Sequence, residues 1–206
     1  MLALTLIIYF LSLSKHVHSL NNGVARRPPM GWATWNLYHR DFTEKVFYDA
    51  ADIISSTAMK KVGYEYINVD GGWWWSVNST VERNSSGYPY FSPSKYPDGI
   101  TSVINYIHSK GLKYGHYTDA GTAACDGDTQ MSEHYMPQDV AQFYQWVCIK
   151  NQDPKSSASD MHHFQLHTQG MDMIKVDACN VEGNDTEIIF EWRDMLNATG
   201  KEILFS

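Results

Sequence analysis

Short apolar runs alternate with amphipathic stretches from residue 30 to residue 206, and this alternation constrains the fold more than any other feature. "GWATWN", "YEYINVD", "LKYGHYTDAG", "MDMIKVDAC" and "KEILFS" read as five strands. After the first, "TEKVFYDAADIISSTAMKKV" places Val46, Ala50, Ile53, Ile54 and Thr57 at helical spacing, with Thr43 as its expected cap. "GITSVINYIHSKG" predicts a helix closed by Gly111, and "TEIIFEWRDMLNATG" another closed by Gly200. Strands that alternate with helices form βα units around a parallel sheet.

Polar and aromatic groups gather at the C-terminal ends of these strands: Trp35, Asp70, Tyr117, Asp119, Lys175 and Asp177. Both barrels and doubly wound sheets place ligands there. No glycine-rich phosphate loop follows the first strand, which disfavours a dinucleotide-binding sheet. The expected fold is therefore α/β, a (β/α)8 TIM barrel of which this chain covers about the first five strands. Within "MIKVDACN", Lys175 and Asp177 stand two apart, so both side chains share one face of a strand. The residues alone leave two readings open, a reactive carboxylate with its cation or a structural ion pair.

The 206 residues carry a net charge of −7 and contain no basic run, which argues against a nucleic-acid partner. Seven Trp and 13 Tyr suit an aromatic-lined sugar site as well as they suit an ordinary core. Residues 2–13 form an apolar stretch too short to span a bilayer comfortably, followed by small residues at Val17 and Ser19. The expectation is a signal peptide over residues 1–19, a buried helix being the alternative, and a secreted or lysosomal/vacuolar mature protein without a membrane anchor. Sequons at Asn78, Asn84, Asn184 and Asn197 are candidate glycosylation sites on that route. The three cysteines, Cys125, Cys148 and Cys179, would then meet an oxidising compartment.

"ARRPPMGWATWN", "GYEYINVDGGW", "YPDGI…YIHSKGLKYGHYTDAG…C" and "GMDMIKVDAC" together resemble consecutive blocks of glycoside hydrolase family 27, from about residue 23 to residue 206. The resemblance implies a retaining α-glycosidase acting on terminal α-linked galactosyl-type residues of oligosaccharides, glycoproteins or glycolipids, without metal or cofactor. It implies that Asp177 is the nucleophile that forms a glycosyl-enzyme, with Lys175 keeping it ionised and bonding sugar hydroxyls. Asp70 resembles an acceptor of sugar hydroxyls, Trp35 a ring against the sugar's apolar face, and Tyr117 a tyrosine beside the nucleophile. Asp119 is expected to support the site. Cys125 and Cys179 match positions that form a disulfide near the substrate pocket, and Cys125 itself is expected to border the sugar. A carbohydrate substrate is the expected partner, and a full-length form is compatible with a homodimer.

Three departures stand out. The family pattern of two aspartates and a cysteine after the second strand reads Asp70, Gly71 and Gly72 here, and Tyr38, His39 and Arg40 stand where the partner cysteine belongs. This predicts a wider pocket, or one suited to a sugar that differs at C4 to C6, such as an arabinopyranosyl group. Residues 147–169 form an atypical insertion, and deleting them joins "QFYQW" to "GMDMIKVD" in the family's manner. Its first residue, Val147, and last, Gln169, match the codons that open and close an in-frame retained intron. A zinc site at His162, His163 and His167 is disfavoured, since no acidic or cysteine ligand stands at a defined spacing. Third, the family's general acid/base follows strand six, beyond residue 206, so this chain alone is expected to be inactive. A non-catalytic carbohydrate-binding half-barrel and a non-functional truncated product are the competing readings.

Overall fold

A computed structural model describes residues 22–145 and 170–206. The stretch expected to be a signal peptide and the one expected to be an insertion, with Cys148, His162, His163 and His167, lie outside the described residues. The elements run β1 (Met30–Ala33), α1 (Trp35–Tyr38), α2 (Lys45–Ser56), α3 (Ala58–Lys61) and β2 (Tyr64–Asn68). A short hairpin, β3 (Ser76–Val77) and β4 (Thr80–Val81), follows, then α4 (Ile100–Ser109), β5 (Lys113–Asp119) and α5 (Met136–Gln145). Last come β6 (Met173–Asp177), α6 (Asp185–Ala198) and β7 (Leu204–Phe205). Five strands form one sheet in the order β1-β2-β5-β6-β7, and every neighbouring pair is parallel. Among the described residues no helix is long and apolar enough to cross a membrane.

Helical periodicity decides which faces meet the sheet. Phe47, Ala51 and Ile54 are buried on α2, and Ile100, Val103, Ile104 and Ile107 on α4. On α6 the buried face is Ile188, Trp192 and Leu196, and Asn184 caps the helix by accepting from the Thr186 amide. Each such side chain contributes roughly 1.5–3 kcal/mol on leaving water. The central strand β5 is buried from Tyr114 to Asp119, whereas β6 alternates, with Ile174 and Val176 buried and Lys175 and Asp177 half-exposed. Gly111 ends α4 at a φ of +64°, the left-handed position expected of it.

The structure departs from the sequence reading in two local respects. Residues 43–62 form two helices, because Thr57 is extended and its hydroxyl accepts from the Met59 amide to start α3. Thr43 does not cap α2: Glu44 holds that position, and its carboxylate instead accepts from the Asp98 amide at 3.3 Å. The first strand is also shorter than "GWATWN", so Trp35 opens the one-turn α1 beyond its end.

The N-terminal side of β6 is pinned from several directions. Lys201 Nζ donates to the carbonyls of Gly170 (3.0 Å) and Met171 (2.7 Å), and Asp172 Oδ2 accepts from the Tyr114 amide (2.9 Å). A Cβ on Gly170 would lie 2.4 Å from the Tyr144 carbonyl oxygen, so the chain on either side of the insertion is in direct contact. Joining Trp146 to Gly170 would place Tyr144 and Gly170 three residues apart, the spacing of a helical turn. Deletion of residues 147–169 should therefore preserve the fold and raise the secreted yield, measured by circular dichroism and by protein in the medium. A lower yield from the deleted chain would show that the segment is a native insertion.

Candidate active site

Parallel pairing of β5 with β6 sets Tyr117 beside Lys175 and Asp119 beside Asp177. On the other side of β5, β2 delivers Asp70 just past its own end. Lys175 Nζ lies 2.9 Å from Asp70 Oδ2 and 3.4 Å from Asp177 Oδ2, so one ammonium joins carboxylates from strands that are not neighbours. Tyr117 donates its hydroxyl to Asp177 Oδ2 at 3.1 Å. Neither contact engages Asp177 Oδ1. Asp70 is held in turn, its amide donating to Thr34 Oγ1 (3.0 Å) and its Oδ1 accepting from the Gly71 amide (2.8 Å).

Burial lowers the proton affinity of Lys175, but the hydrogen bond it donates to Asp70 and the charges of Asp70 and Asp177 outweigh it and raise its pKa above the ordinary lysine value. It is a fixed cation at any physiological pH. Burial, then the negative charges of Asp177 and Asp119, push the Tyr117 phenol far above its usual range, so it remains a donor. Asp119 is wholly buried. Burial, reinforced by the charge of Asp177 and opposed by amide hydrogen bonds from Gly121, Cys179 and Cys125, raises its pKa to about 7.

Cys125 and Cys179 form a disulfide with their Cα atoms 5.2 Å apart, linking the loops that follow β5 and β6. Cys125 Sγ lies 3.3 Å from Asp119 Oδ2 and 3.7 Å from Asp177 Oδ2. Asp119, Cys125 and Cys179 also bring three potential metal-binding atoms within 4.8 Å of one another. With the sulfurs bonded to each other, that group supplies no thiolate ligands.

The wall opposite the carboxylates is aromatic. A Cβ on Gly71 would lie 3.3 Å from Trp35, 3.6 Å from Trp74 and 3.6 Å from Tyr117, so three rings close in on this position. Trp74 stacks on Tyr117 with centroids 6.2 Å apart and planes at 26°. Trp73 Nε1 donates to the Tyr117 carbonyl at 2.8 Å, and Trp74 Nε1 donates to Asp128 Oδ2 at 2.6 Å. The structure thus brings together Trp35, Asp70, Tyr117, Lys175, Asp177 and Cys125. Sequence reasoning missed Trp73, Trp74, Arg40 and Asp128; the run of three tryptophans after Gly72 was the available signal. Asn78, Asn184 and Asn197 are exposed and Asn84 is half-buried, on loops or helix ends.

Charged groups converge on the C-terminal ends of parallel strands, the end at which (β/α)-barrels carry their active sites. Comparison with known proteins identifies the family: residues 27–165 match the melibiase family model described as alpha galactosidase A, and the chain belongs to that family. It is 31% identical to an alpha-galactosidase of Oryza sativa subsp. japonica, across 91% of this chain and 39% of that protein. It is 28% identical to the alpha-N-acetylgalactosaminidase of Gallus gallus, across 91% of this chain and 42% of that one. Among solved structures, alpha-galactosidase I from Mortierella vinacea superposes with a TM-score of 0.72 at 31% identity, covering 89% of this chain and 41% of its own. The chain therefore spans about two fifths of the length of these relatives.

The elevated pKa of Asp119 predicts a specific pH dependence of stability. Its ordinary value is 3.8 and its folded value about 7, so between these the folded state holds a proton that the unfolded state has released. Stability should fall as pH rises through this window and level off above it. Asp119→Asn, neutral throughout, should lack that component. Urea midpoints from pH 4.5 to 8 test this; parallel curves for the two proteins would contradict it.

Proposed function

We propose that this chain is the nucleophile-bearing part of a retaining α-glycosidase that acts on terminal α-linked galactosyl-type residues. The observation that carries the reading is the placement of Asp177, whose Oδ2 is held by Lys175 and Tyr117 while Oδ1 takes no part in either contact. In the proposed step Oδ1 attacks the anomeric carbon, the bond to the leaving oxygen breaks, and its electron pair departs with that oxygen. Water later releases the sugar from the ester. The cationic Lys175 and the Tyr117 hydroxyl hold Asp177 Oδ2 in place for the attack by Oδ1, and Asp70 accepts from sugar hydroxyls. Family membership supports the reading, as do the alpha-galactosidase relatives and a yeast alpha-galactosidase structure solved with raffinose, which shares the fold at a TM-score of 0.69.

A leaving oxygen normally needs a proton from a second carboxyl group roughly 5 Å from the nucleophile. Among the described residues the carboxyls gathered around Asp177 are Asp70, tied to Lys175, and Asp119, sealed beside the disulfide. Neither is placed to donate a proton to a leaving group, which is why ordinary glycosides are expected to go uncleaved by this chain. Secretion through a signal peptide, glycosylation at the four sequons and delivery outside the cell or to a lysosome or vacuole belong to the same proposal.

A 2-deoxy-2-fluoro-α-galactosyl donor with an activated leaving group needs no acid catalyst, so it isolates the nucleophile. Incubation should add one deoxyfluorohexosyl unit, mapped to Asp177 by peptide mass spectrometry, and Asp177→Asn should abolish the adduct. Binding of galactose without any adduct would favour a non-catalytic lectin-like role, and label on another residue would move the nucleophile.

Gly71 bears on which sugar fits. Three rings close in on position 71, where the family pattern has a second carboxylate, so this position offers ring edges and no acceptor of its own for a hydroxyl. On this reading the pocket favours a sugar lacking the C6 hydroxymethyl, as in an arabinopyranosyl group. The matching fluorinated arabinopyranosyl donor should label at least about tenfold faster than the galactosyl donor, a difference of about 1.4 kcal/mol in barrier. Gly71→Asp should reverse that order; an unchanged preference would remove Gly71 from the specificity argument.

A further inference from the structure

We propose that Arg40 is a positioning residue for the glycosyl pocket, a cationic clamp that fixes the aromatic wall through Asp128 and Trp74. The inference rests on the pocket reading above but draws on contacts outside it. Arg40 follows α1 and lies directly over Gly72: a Cβ at position 72 would stand 2.7 Å from Arg40 Cγ, 3.0 Å from its Cβ and 3.1 Å from its Cα. Gly72 has a φ of +87°, so the absence of a side chain answers both the backbone angle and the crowding.

From that position the guanidinium reaches across to the disulfide-bearing loop. Its NH1 bonds Asp128 Oδ2 at 2.7 Å, and Nε and NH2 engage the carboxylate of Asp126. Asp128 Oδ2 also accepts from Trp74 Nε1, and the guanidinium carbon sits 5.7 Å from the Trp74 ring centroid. One buried carboxylate oxygen is therefore shared by an arginine and an indole, which fixes the indole's rotation as well as its position. Lys95 completes the clamp by donating from Nζ to the carbonyls of both Arg40 and Gly72, the latter at 2.6 Å. The contacts run from Asp126 and Asp128 through Arg40 to Trp74, from Trp74 by stacking to Tyr117, and from Tyr117 to Asp177.

An arginine is suited to this task because its planar fork can bond two carboxylates at once while covering a ring face. Losing it would leave Asp128 buried with one neutral donor, so that Trp74 is held through a carboxylate that has lost its own anchor. The effect on chemistry would come through the shape of the pocket, since Arg40 itself touches neither Asp177 nor Lys175 in the described contacts.

The full chain carrying 5-fluorotryptophan allows a direct test by fluorine NMR, with the Trp74 resonance assigned by Trp74→Phe. Arg40→Gln should shift or broaden that resonance and leave the Trp192 resonance, in the core, unchanged. Arg40→Lys should restore it only in part. In the labelling reaction Arg40→Gln should weaken saturation by the fluorinated donor by at least about tenfold and change the limiting rate much less. The resonance requires no turnover, so it decides on the clamp even if no sugar adduct forms on the parent chain. An unaltered Trp74 line in Arg40→Gln would overturn the proposal.

Discussion

One ammonium organises the candidate site. Lys175 stands between Asp70 and Asp177, and these carboxylates come from β2 and β6, which β5 separates in the sheet. Without the cation, two negative charges would face each other across a half-buried pocket, a costly arrangement where water is scarce. With it, each carboxylate has a partner, and the shared position also defines the distance between the ends of the two strands that deliver them. Parallel pairing makes this possible. It brings every strand to the same end with the same polarity, so residues near the ends of β2, β5 and β6 meet without any long-range adjustment of the backbone.

The broad fold and the centre of the site were legible because they depend on short-range periodicity. Lys175 and Asp177 share a face through the two-residue repeat of a strand, and Ile100, Val103, Ile104 and Ile107 share one through the helical repeat. The outer parts were not legible. Trp74 owes its orientation to Asp128, 54 positions away, and Arg40 reaches the same carboxylate across 88 positions. No local pattern encodes such pairs. The hairpin β3–β4 and the single turn α1 are too short to carry a periodic signal at all. Thr43 illustrates the reverse error: it had the chemistry of a cap, but the Glu44 carboxylate bonding the Asp98 amide set the helix start one residue later.

Two different devices hold the loops around this pocket. The loops after β5 and β6 are joined covalently through Cys125 and Cys179, and Asp119 reinforces that junction by accepting from amides on both sides. That role explains why a carboxyl group with no cation recorded beside it persists in a buried position: its acceptor oxygens satisfy amides that would otherwise be orphaned, at the expense of a raised pKa. The loops after β1 and β2 are instead joined by Arg40, Lys95 and the bare backbone of Gly72. A disulfide restricts the unfolded chain as well as the folded one, whereas hydrogen-bonded ions act only once the loops have met. The β1–β2 side of the pocket is accordingly the side whose geometry depends on folding being complete.

The opposite end of the sheet explains how the site can tolerate the unusual stretch before β6. Position along β6 decides everything in the pocket, since a shift of one residue would turn Lys175 and Asp177 to the helix-covered face. That register is set by contacts on the near side of the strand. Asp172 receives the Tyr114 amide and pairs with His108 Nε2 at 2.7 Å, while Lys201 holds the carbonyls of Gly170 and Met171. All of these partners belong to β5, α4 and the turn after α6. Gly170 then packs directly on the carbonyl of Tyr144 at the end of α5. The alignment of Asp177 with Asp119 therefore follows from contacts among the described residues on both flanks.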